Sequence, residues 1–378
     1  MTQINLVHDA LARVDRDPAR SYTLPGFYYY DREIYERETR AIFHRTWQYV
    51  GHVSMLREPG SYIVREIVDQ SVLVLRKRDG ALKAFFNVCQ HRAHRLLEGQ
   101  GQLASAAIVC PYHTWTYDLD GNLRKARGSK NITGFDPSEF GLKPVALDSF
   151  LGFLFVNLDG KAPPLAETAG DLATEIASFS PQAAQLQCAH RGEYPVNANW
   201  KNSVENYSEC YHCPNQHPSL VGGALDIHSY RIATHEHHHT HSASDKGEET
   251  GYSTRTAGAA KLAEFASWLL WPNWCIEVYP GGNLTVFHHV PLGPERCVQR
   301  TEWYFPHAMP TAEEQEVIDF VHLVRLEDIP ICESVQKGLH SLGYRQGRFI
   351  VDEGRTDISE HAVHDFQMKV LRALGERT

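Results

Sequence analysis

Four side chains able to bind a metal fall into two short, similar units: Cys89-Gln90-His91 and, after the eighteen residues 92–109, Cys110-Pro111-Tyr112-His113. Thiolates and imidazoles are both strong transition-metal ligands, and each unit offers one of each. Two cysteines and two histidines so arranged are the ligand set of a [2Fe–2S] cluster in which histidines replace cysteines on one iron and raise the potential. The chain is thereby expected to handle single electrons.

Zinc is the competing occupant, since Cys2His2 is also a zinc set. Zinc fingers pair cysteine with cysteine and histidine with histidine, whereas here each loop supplies both, with histidine second. Ligand order and spacing therefore favour the iron–sulfur cluster. The flanks His91-Arg92-Ala93-His94 and Pro111-Tyr112-His113-Thr114-Trp115 resemble the two cluster-binding loops of Rieske proteins, where the Trp115 position carries an aromatic lid.

A centre that delivers electrons implies an acceptor. Between Asn199 and Pro218 stand His212 and His217, five positions apart, which a bend or helix end could bring to one ion. Mononuclear Fe(II) sites that activate O2 use two histidines and one carboxylate on one face, with open positions left over. Asp328 is the chosen carboxylate, because on a helical reading it is flanked by apolar neighbours, and a buried carboxylate is costly unless it meets a metal or cation. Glu327 and Glu333 compete with it, and a plain charged helix face would account for all three acids.

The elements that must position these ligands follow from length and pattern. A chain of 378 residues exceeds the usual single-domain size, so two domains are expected. Its 42% hydrophobic and 22% charged residues are ordinary for a globular protein. With 37 basic against 46 acidic residues the formal charge is −9, which argues against a nucleic-acid surface and permits a basic redox partner. Neither a signal peptide nor a membrane-spanning run is legible, so a cytoplasmic protein is expected. Cys188, Cys210, Cys213, Cys275, Cys297 and Cys332 are expected as reduced thiols packing as small hydrophobes, and Cys210-Tyr211-His212-Cys213 is not a thioredoxin-type pair.

Apolar spacing predicts a helix over Asp31 to Trp47. Alternation over Ser61 to Val74 and Leu82 to Val88, turns at Asp79-Gly80 and Asp120-Gly121, and a strand from Gly152 to Val156 predict a small antiparallel β-domain. A composition shift at Lys161 to Pro164 divides the chain into an N-terminal arm over 1–45, a cluster domain over 46–160 and a catalytic domain over 161–378. The last is read as helix over Ala198 to Cys213, strands over Leu269 to Phe287 broken at Pro272 and Pro280-Gly281-Gly282, and one or two helices over Ala312 to Leu342. His235, His237, His238, His239 and His241 lack apolar periodicity and are expected in a solvated loop, with chelation the lesser alternative.

The two cluster loops, the run Glu205-Asn206-Tyr207-Ser208-Glu209-Cys210-Tyr211-His212 to His217-Pro218 and the late Glu327-Asp328 resemble the oxygenase (α) component of Rieske non-haem iron oxygenases over nearly the whole chain. More narrowly, residues 205–213, 333–339 and 358–363 resemble the branch acting on quaternary ammonium compounds such as carnitine, glycine betaine and stachydrine (proline betaine). The resemblance implies an α+β chain, with a small antiparallel β Rieske domain beside an α+β helix-grip catalytic domain. It implies Cys89, His91, Cys110 and His113 on the Rieske [2Fe–2S] cluster, and His212, His217 and Asp328 on a mononuclear Fe(II). It also implies no flavin or NAD on this chain, electrons from NAD(P)H through a separate flavin and iron–sulfur reductase, and a homotrimer. Glu209 stands where aromatic-ring dioxygenases carry aspartate, and would bridge a cluster histidine of one subunit to an iron histidine of its neighbour; Asn206 is taken with it as catalytic. The cluster spacing is slightly longer than the family pattern, which touches the hairpin between the loops and leaves the ligands unchanged.

The activity so implied is O2-dependent hydroxylation of a quaternary ammonium compound, giving N-demethylation or C–N cleavage. Such a cation is recognised by aromatic faces, and Phe265, Trp268, Trp271, Trp274, Tyr279 and Tyr304 are the cage candidates, against core packing for most of them. An aromatic-ring hydroxylating oxygenase and a Rieske electron carrier without a second iron are the alternatives.

Overall fold

A computed structural model describes residues 11–244, 264–279 and 283–376. Pro280-Gly281-Gly282 and the first ten residues lie outside the described residues. The chain divides into two units: one runs from Phe43 to Thr168, and the other takes the chain up to Ile42 together with everything from Ala169 onward.

The smaller unit is built from ten short strands: β1 Gln48–His52, β2 Ser61–Ile67, β3 Gln70–Arg76, β4 Leu82–Phe86, β5 Gln100–Gln102, β6 Ile108–Val109, β7 Thr116–Tyr117, β8 Leu123–Lys125, β9 Ala146–Phe150 and β10 Phe153–Asn157. They form three antiparallel sheets in the orders β1-β10-β9, β4-β3-β2-β5 and β6-β7-β8. The long strand expected from Ser61 is a hairpin, because Val68 turns left-handed (φ 55°) between Ile67 and its partner Gln70. A β-branched residue at that position carries no turn signal. The Asp120-Gly121 turn stands as expected: Gly121 has φ +84°, and a Cβ there would meet the Phe85 ring at 2.6 Å. Val64, Leu73, Leu75, Phe85, Ile108 and Tyr117 pack as one core whose cluster also contains Cys89 and Cys110.

The larger unit opens with α1 Arg32–Glu38, capped by Asp31. The helix expected to reach Trp47 loosens into a wider π turn over Thr39–Phe43, where the β-branched Thr39 spends its hydroxyl on the Tyr35 carbonyl. After α2 Leu172–Phe179 come β11 Gln187–Val196, α3 Trp200–Tyr207, α4 Cys213–Gln216, β12 Arg231–Thr234, β13 His238–Ser244, β14 Glu264–Leu270, β15 Trp274–Tyr279, β16 Asn283–Gly293, β17 Arg296–Phe305, α5 Ala312–Leu339 and α6 His361–Ala373. The seven strands make one antiparallel sheet, ordered β11-β17-β16-β15-β14-β13-β12. One face meets α3, α5 and α6, through Tyr207 against Phe287, Phe320 against Tyr279, and Asp365 against His239. The opposite face meets α2, whose Phe179 packs edge-on to Trp268. Both units together give the α+β class.

The histidine-rich run is a loop only at its start, where His235 and His237 lie in the bend before β13 and His235 is exposed. His238, His239 and His241 lie on β13 and are buried, because strands inside a sheet covered on both faces need no polar alternation. His239 pairs with Asp365 and His241 Nδ1 with the Tyr230 hydroxyl. His238 and His235 gather with Glu175 in a potential metal-ligand trio, although that carboxylate already accepts bonds from Thr240 and Trp268.

Candidate active site

The two cluster loops are copies of one local structure. In each, the cysteine N–H donates to the carbonyl five residues on (Cys89 to His94, 2.9 Å; Cys110 to Trp115, 2.8 Å), and its carbonyl accepts from the N–H four residues on (Ala93, 3.1 Å; Thr114, 3.0 Å). Closing so tight a loop requires a left-handed residue, supplied by Ala93 (φ 55°) and Thr114 (φ 59°). Cys89 and Cys110 are buried, while His91 is exposed and His113 half-buried. The rings of His91 and His113 face each other at 4.6 Å, and Trp115 stacks flat on His91 at 4.8 Å with its edge against Phe135 and Phe140. Burial raises the Cys89 thiol, an effect Tyr117 opposes and Cys110 reinforces. Two crowded thiols below and two imidazoles above fit a cluster held by sulfur on its inner iron and nitrogen on its outer one. The Tyr117 hydroxyl, 3.3 Å from Cys89 Sγ, accepts the Gln90 N–H at 3.0 Å.

The second ligand set sits at helix ends. Asn199 caps α3 by accepting the Lys201 N–H. The chain then turns through Ser208–Tyr211, and the short α4 ends at His217. Cys210 and Cys213, expected as thiols, are joined by a disulfide. The turn between the helices, closed by the Cys213 N–H on the Cys210 carbonyl at 3.0 Å, brings their Cα atoms to 4.9 Å, within bridging range. The other six cysteines are free.

His212 Nε2, His217 Nε2 and Asp328 Oδ1 converge: the two nitrogens are 3.2 Å apart, and the carboxylate oxygen is 2.9 Å from His217 and 3.4 Å from His212. Ligand atoms at about 2.1 Å from one ion and at right angles are separated by about 3 Å, so the trio fits a single metal. Each imidazole is held by a second carboxylate on Nδ1, Glu209 at 2.5 Å from His212 and Glu327 at 2.8 Å from His217, which keeps both Nε2 atoms turned toward Asp328 Oδ1. Arg325 binds Asp328 through Oδ2 at 3.1 Å, and Asn206 donates to Oδ1 at 3.3 Å. Burial alone would raise the Asp328 carboxyl, but the Arg325 cation and the two histidines override it and hold it well below the usual range. Burial likewise disfavours charge on His212, yet the Asp328 and Glu209 carboxylates lift it to about 9 in the metal-free protein.

Of the competing acids, Glu327 stands behind His217, and Glu333 accepts from the Asn197 backbone and side chain. Sequence reading missed Arg325; its one signal is the i,i+3 spacing to Asp328 on a helix. The aromatic candidates are not brought together. Strand register puts Phe265 and Tyr279 on the sheet face toward α5, whereas Trp268, Trp274 and Tyr304 lie on the opposite face, and Trp271 packs on Phe366 beyond the strand end. Alternation along a strand forces that split.

The sequence matches two family models, the catalytic domain of ring-hydroxylating α subunits over residues 184–376 and the Rieske [2Fe-2S] domain over residues 46–136. The carnitine monooxygenase oxygenase subunit of Escherichia coli (strain K12) is 36% identical over 93% of this chain and 93% of its own. The chloroplastic choline monooxygenase of Spinacia oleracea is 31% identical over 98% of this chain and 82% of its own. The solved structure of a quaternary ammonium Rieske monooxygenase, described with carnitine oxidation and inter-subunit electron transfer, superposes with a TM-score of 0.88 at 32% identity over 94% of this chain and 96% of that one. No helix among the described residues is long and apolar enough to cross a membrane. The chain belongs to the Rieske non-haem iron oxygenases as their α (oxygenase) component, an oxidoreductase working with a Rieske [2Fe–2S] cluster and a mononuclear iron.

Proposed function

We propose that this oxygenase is a monooxygenase of a small quaternary ammonium compound of the carnitine, choline or betaine kind, and that Cys89, His91, Cys110 and His113 hold the cluster while His212, His217 and Asp328 hold the iron. The observation that carries the ligand assignment is the convergence of three donor atoms whose other sides are each occupied by Glu209, Glu327 or Arg325. The substrate class is supported by similarity to carnitine and choline monooxygenases over almost the whole chain.

When bound, the iron supplies O2 activation for insertion of oxygen into a C–H bond. One oxygen atom enters the substrate and the other leaves as water, with two electrons and two protons. If the carbon is an N-methyl group, the resulting carbinolamine collapses to tertiary amine, formaldehyde and a proton. Glu209 and Glu327 accept the Nδ1 protons of His212 and His217, Arg325 fixes Asp328 by one oxygen, and Asn206 steadies the other.

Electrons come from a separate flavin and iron–sulfur reductase, and three copies of the chain assemble so that the cluster of one serves the iron of the next through Glu209. The carboxylate is well placed for such a bridge, since it binds His212 and lines an open depression of about 230 Å³ with Glu205, Glu360 and Tyr344. The test combines metal analysis with turnover. Protein loaded with iron and supplied with a Rieske reductase and NADH is offered choline, L-carnitine, glycine betaine, stachydrine and a panel of aromatic acids, with formaldehyde and product mass followed. Oxidation of an aromatic ring with no change in any quaternary ammonium compound would overturn the assignment.

A further inference from the structure

The sheet face toward α5 carries polar atoms buried with no hydrogen-bond partner among the described residues: Glu277 Oε2, Thr285 Oγ1, His289 Nε2, Gln299 Oε1, Thr301 Oγ1 and Trp303 Nε1. They are neighbours. Glu277 lies opposite Thr285 and Thr285 opposite Trp303 across β15, β16 and β17, with Thr301 and Gln299 continuing the same face of β17. Polar atoms taken from water and left unpaired are unfavourable. A contiguous patch of them, on the sheet face that carries Phe287, leaves unmet polar atoms for a ligand to satisfy.

The patch adjoins the triad through Arg325, whose guanidinium sits 4.7 Å over the Phe287 ring and binds Asp328. Glu277 is the acid on that patch. Burial raises its carboxyl and Asp328 adds to the rise, while Arg325, already committed to Asp328, opposes it, so a further cation beside Glu277 would favour its charged form. Tyr207 and Tyr279 reach its carboxylate, leaving one oxygen orphaned. A buried carboxylate in that position calls for a positive charge. A trimethylammonium group supplies one and, lacking any N–H, asks for no acceptor in return; it is held by Coulomb attraction and aromatic faces, here those of Tyr279 and Trp303.

We propose that Glu277 is the counter-charge that selects a cationic substrate over a neutral one of the same shape. The proposal rests on the quaternary-ammonium reading above and names the residue behind it. The hydroxyls of Thr285 and Thr301 and the Trp303 N–H remain for the oxygen substituents such compounds carry.

The test is equilibrium binding to the iron-loaded holoenzyme of choline, L-carnitine and glycine betaine, each paired with the analogue in which a tert-butyl group replaces trimethylammonium. The wild-type protein is expected to favour the cation by on the order of 10- to 100-fold, and Glu277→Gln to lose that preference while binding the tert-butyl analogue within about twofold of wild type. Glu277→Asp, keeping the charge, should restore part of it. Unchanged discrimination in a folded, metal-loaded Glu277→Gln protein overturns the proposal. So does a wild-type protein that oxidises a quaternary ammonium compound without preferring it to its isostere, a result independent of whether the variant folds. A wild-type protein that neither binds nor oxidises any of the three cations instead overturns the reading beneath.

Discussion

Glu327 grips His217 from behind: its Oε2 lies 2.8 Å from Nδ1, while Asp328, the next residue on α5, faces Nε2 at 2.9 Å. Two consecutive residues of one helix thus hold opposite ends of one imidazole. Carboxylates behind metal-bound histidines typically account for 10- to 100-fold in metal affinity. Glu327→Ala should therefore lose iron affinity by about that factor. Iron retention measured against a competing chelator checks it, with cluster absorbance unchanged as the internal control.

Glu209 binds His212 Nδ1 and accepts the His212 backbone N–H at 3.3 Å, so it fixes both the ring and the turn that carries it. Glu209→Gln keeps a hydrogen-bonding shape and removes the charge. Both metal centres should load, while oxidation of the reduced cluster in the presence of substrate and O2 slows by about 10-fold or more. Stopped-flow absorbance of the cluster measures it; reoxidation at the wild-type rate would remove Glu209 from the electron path.

The candidate ligands were legible because ligand chemistry restricts both residue type and spacing: Cys89, His91, Cys110 and His113 stand on two repeated loops, and the side chains of His212, His217 and Asp328 converge. Distances along the chain did not carry the rest. The face on which Trp268 or Tyr279 lies depends on strand register, which is fixed by partners tens of residues away. The same holds for His238, His239 and His241: their burial follows from two covered sheet faces that no local pattern announces. The Cys210–Cys213 disulfide was missed because the expectation rested on compartment and length, whereas the turn geometry decides it.

The Tyr117 hydroxyl lies 3.3 Å from Cys89 Sγ. A donor to a cluster sulfur stabilises the more negative, reduced state, and so raises the potential. Tyr117→Phe should lower the cluster midpoint by on the order of tens of millivolts with the cluster intact. A redox titration followed by electron paramagnetic resonance reads it directly.

Lys201 and Glu38 form an ion pair at 2.6 Å with both side chains fully buried, and Glu38 also accepts the Trp200 indole N–H at 2.9 Å. This pair ties α3, which leads into the turn carrying His212, to α1. Removing one partner of a buried pair strands the other charge and costs about 3–5 kcal/mol, whereas replacing both costs far less. Lys201→Met should be strongly destabilising and Lys201→Met with Glu38→Gln distinctly less so, in a urea-denaturation double-mutant cycle.

Glu205, one turn further along α3, accepts the Tyr29 hydroxyl at 2.7 Å. Burial pushes its carboxyl up to about 7, although Tyr29 and Lys201 pull the other way. In the unfolded chain it titrates near about 4.3. Between those values the folded protein holds a proton that the unfolded chain has released, so stability falls as pH rises through the window and is flat on either side. The contribution is fully present below about pH 4 and lost above about pH 7, amounting to at most about 4 kcal/mol. Glu360, also pushed up to about 7 by burial, adds a slope of the same sign. Glu205→Gln is neutral throughout. It should therefore flatten part of the curve, gaining stability over wild type at pH 8 and little at pH 4, as denaturation midpoints across that range would record. A variant whose midpoint tracks wild type at every pH would mean that Glu205 is ionised in the folded protein.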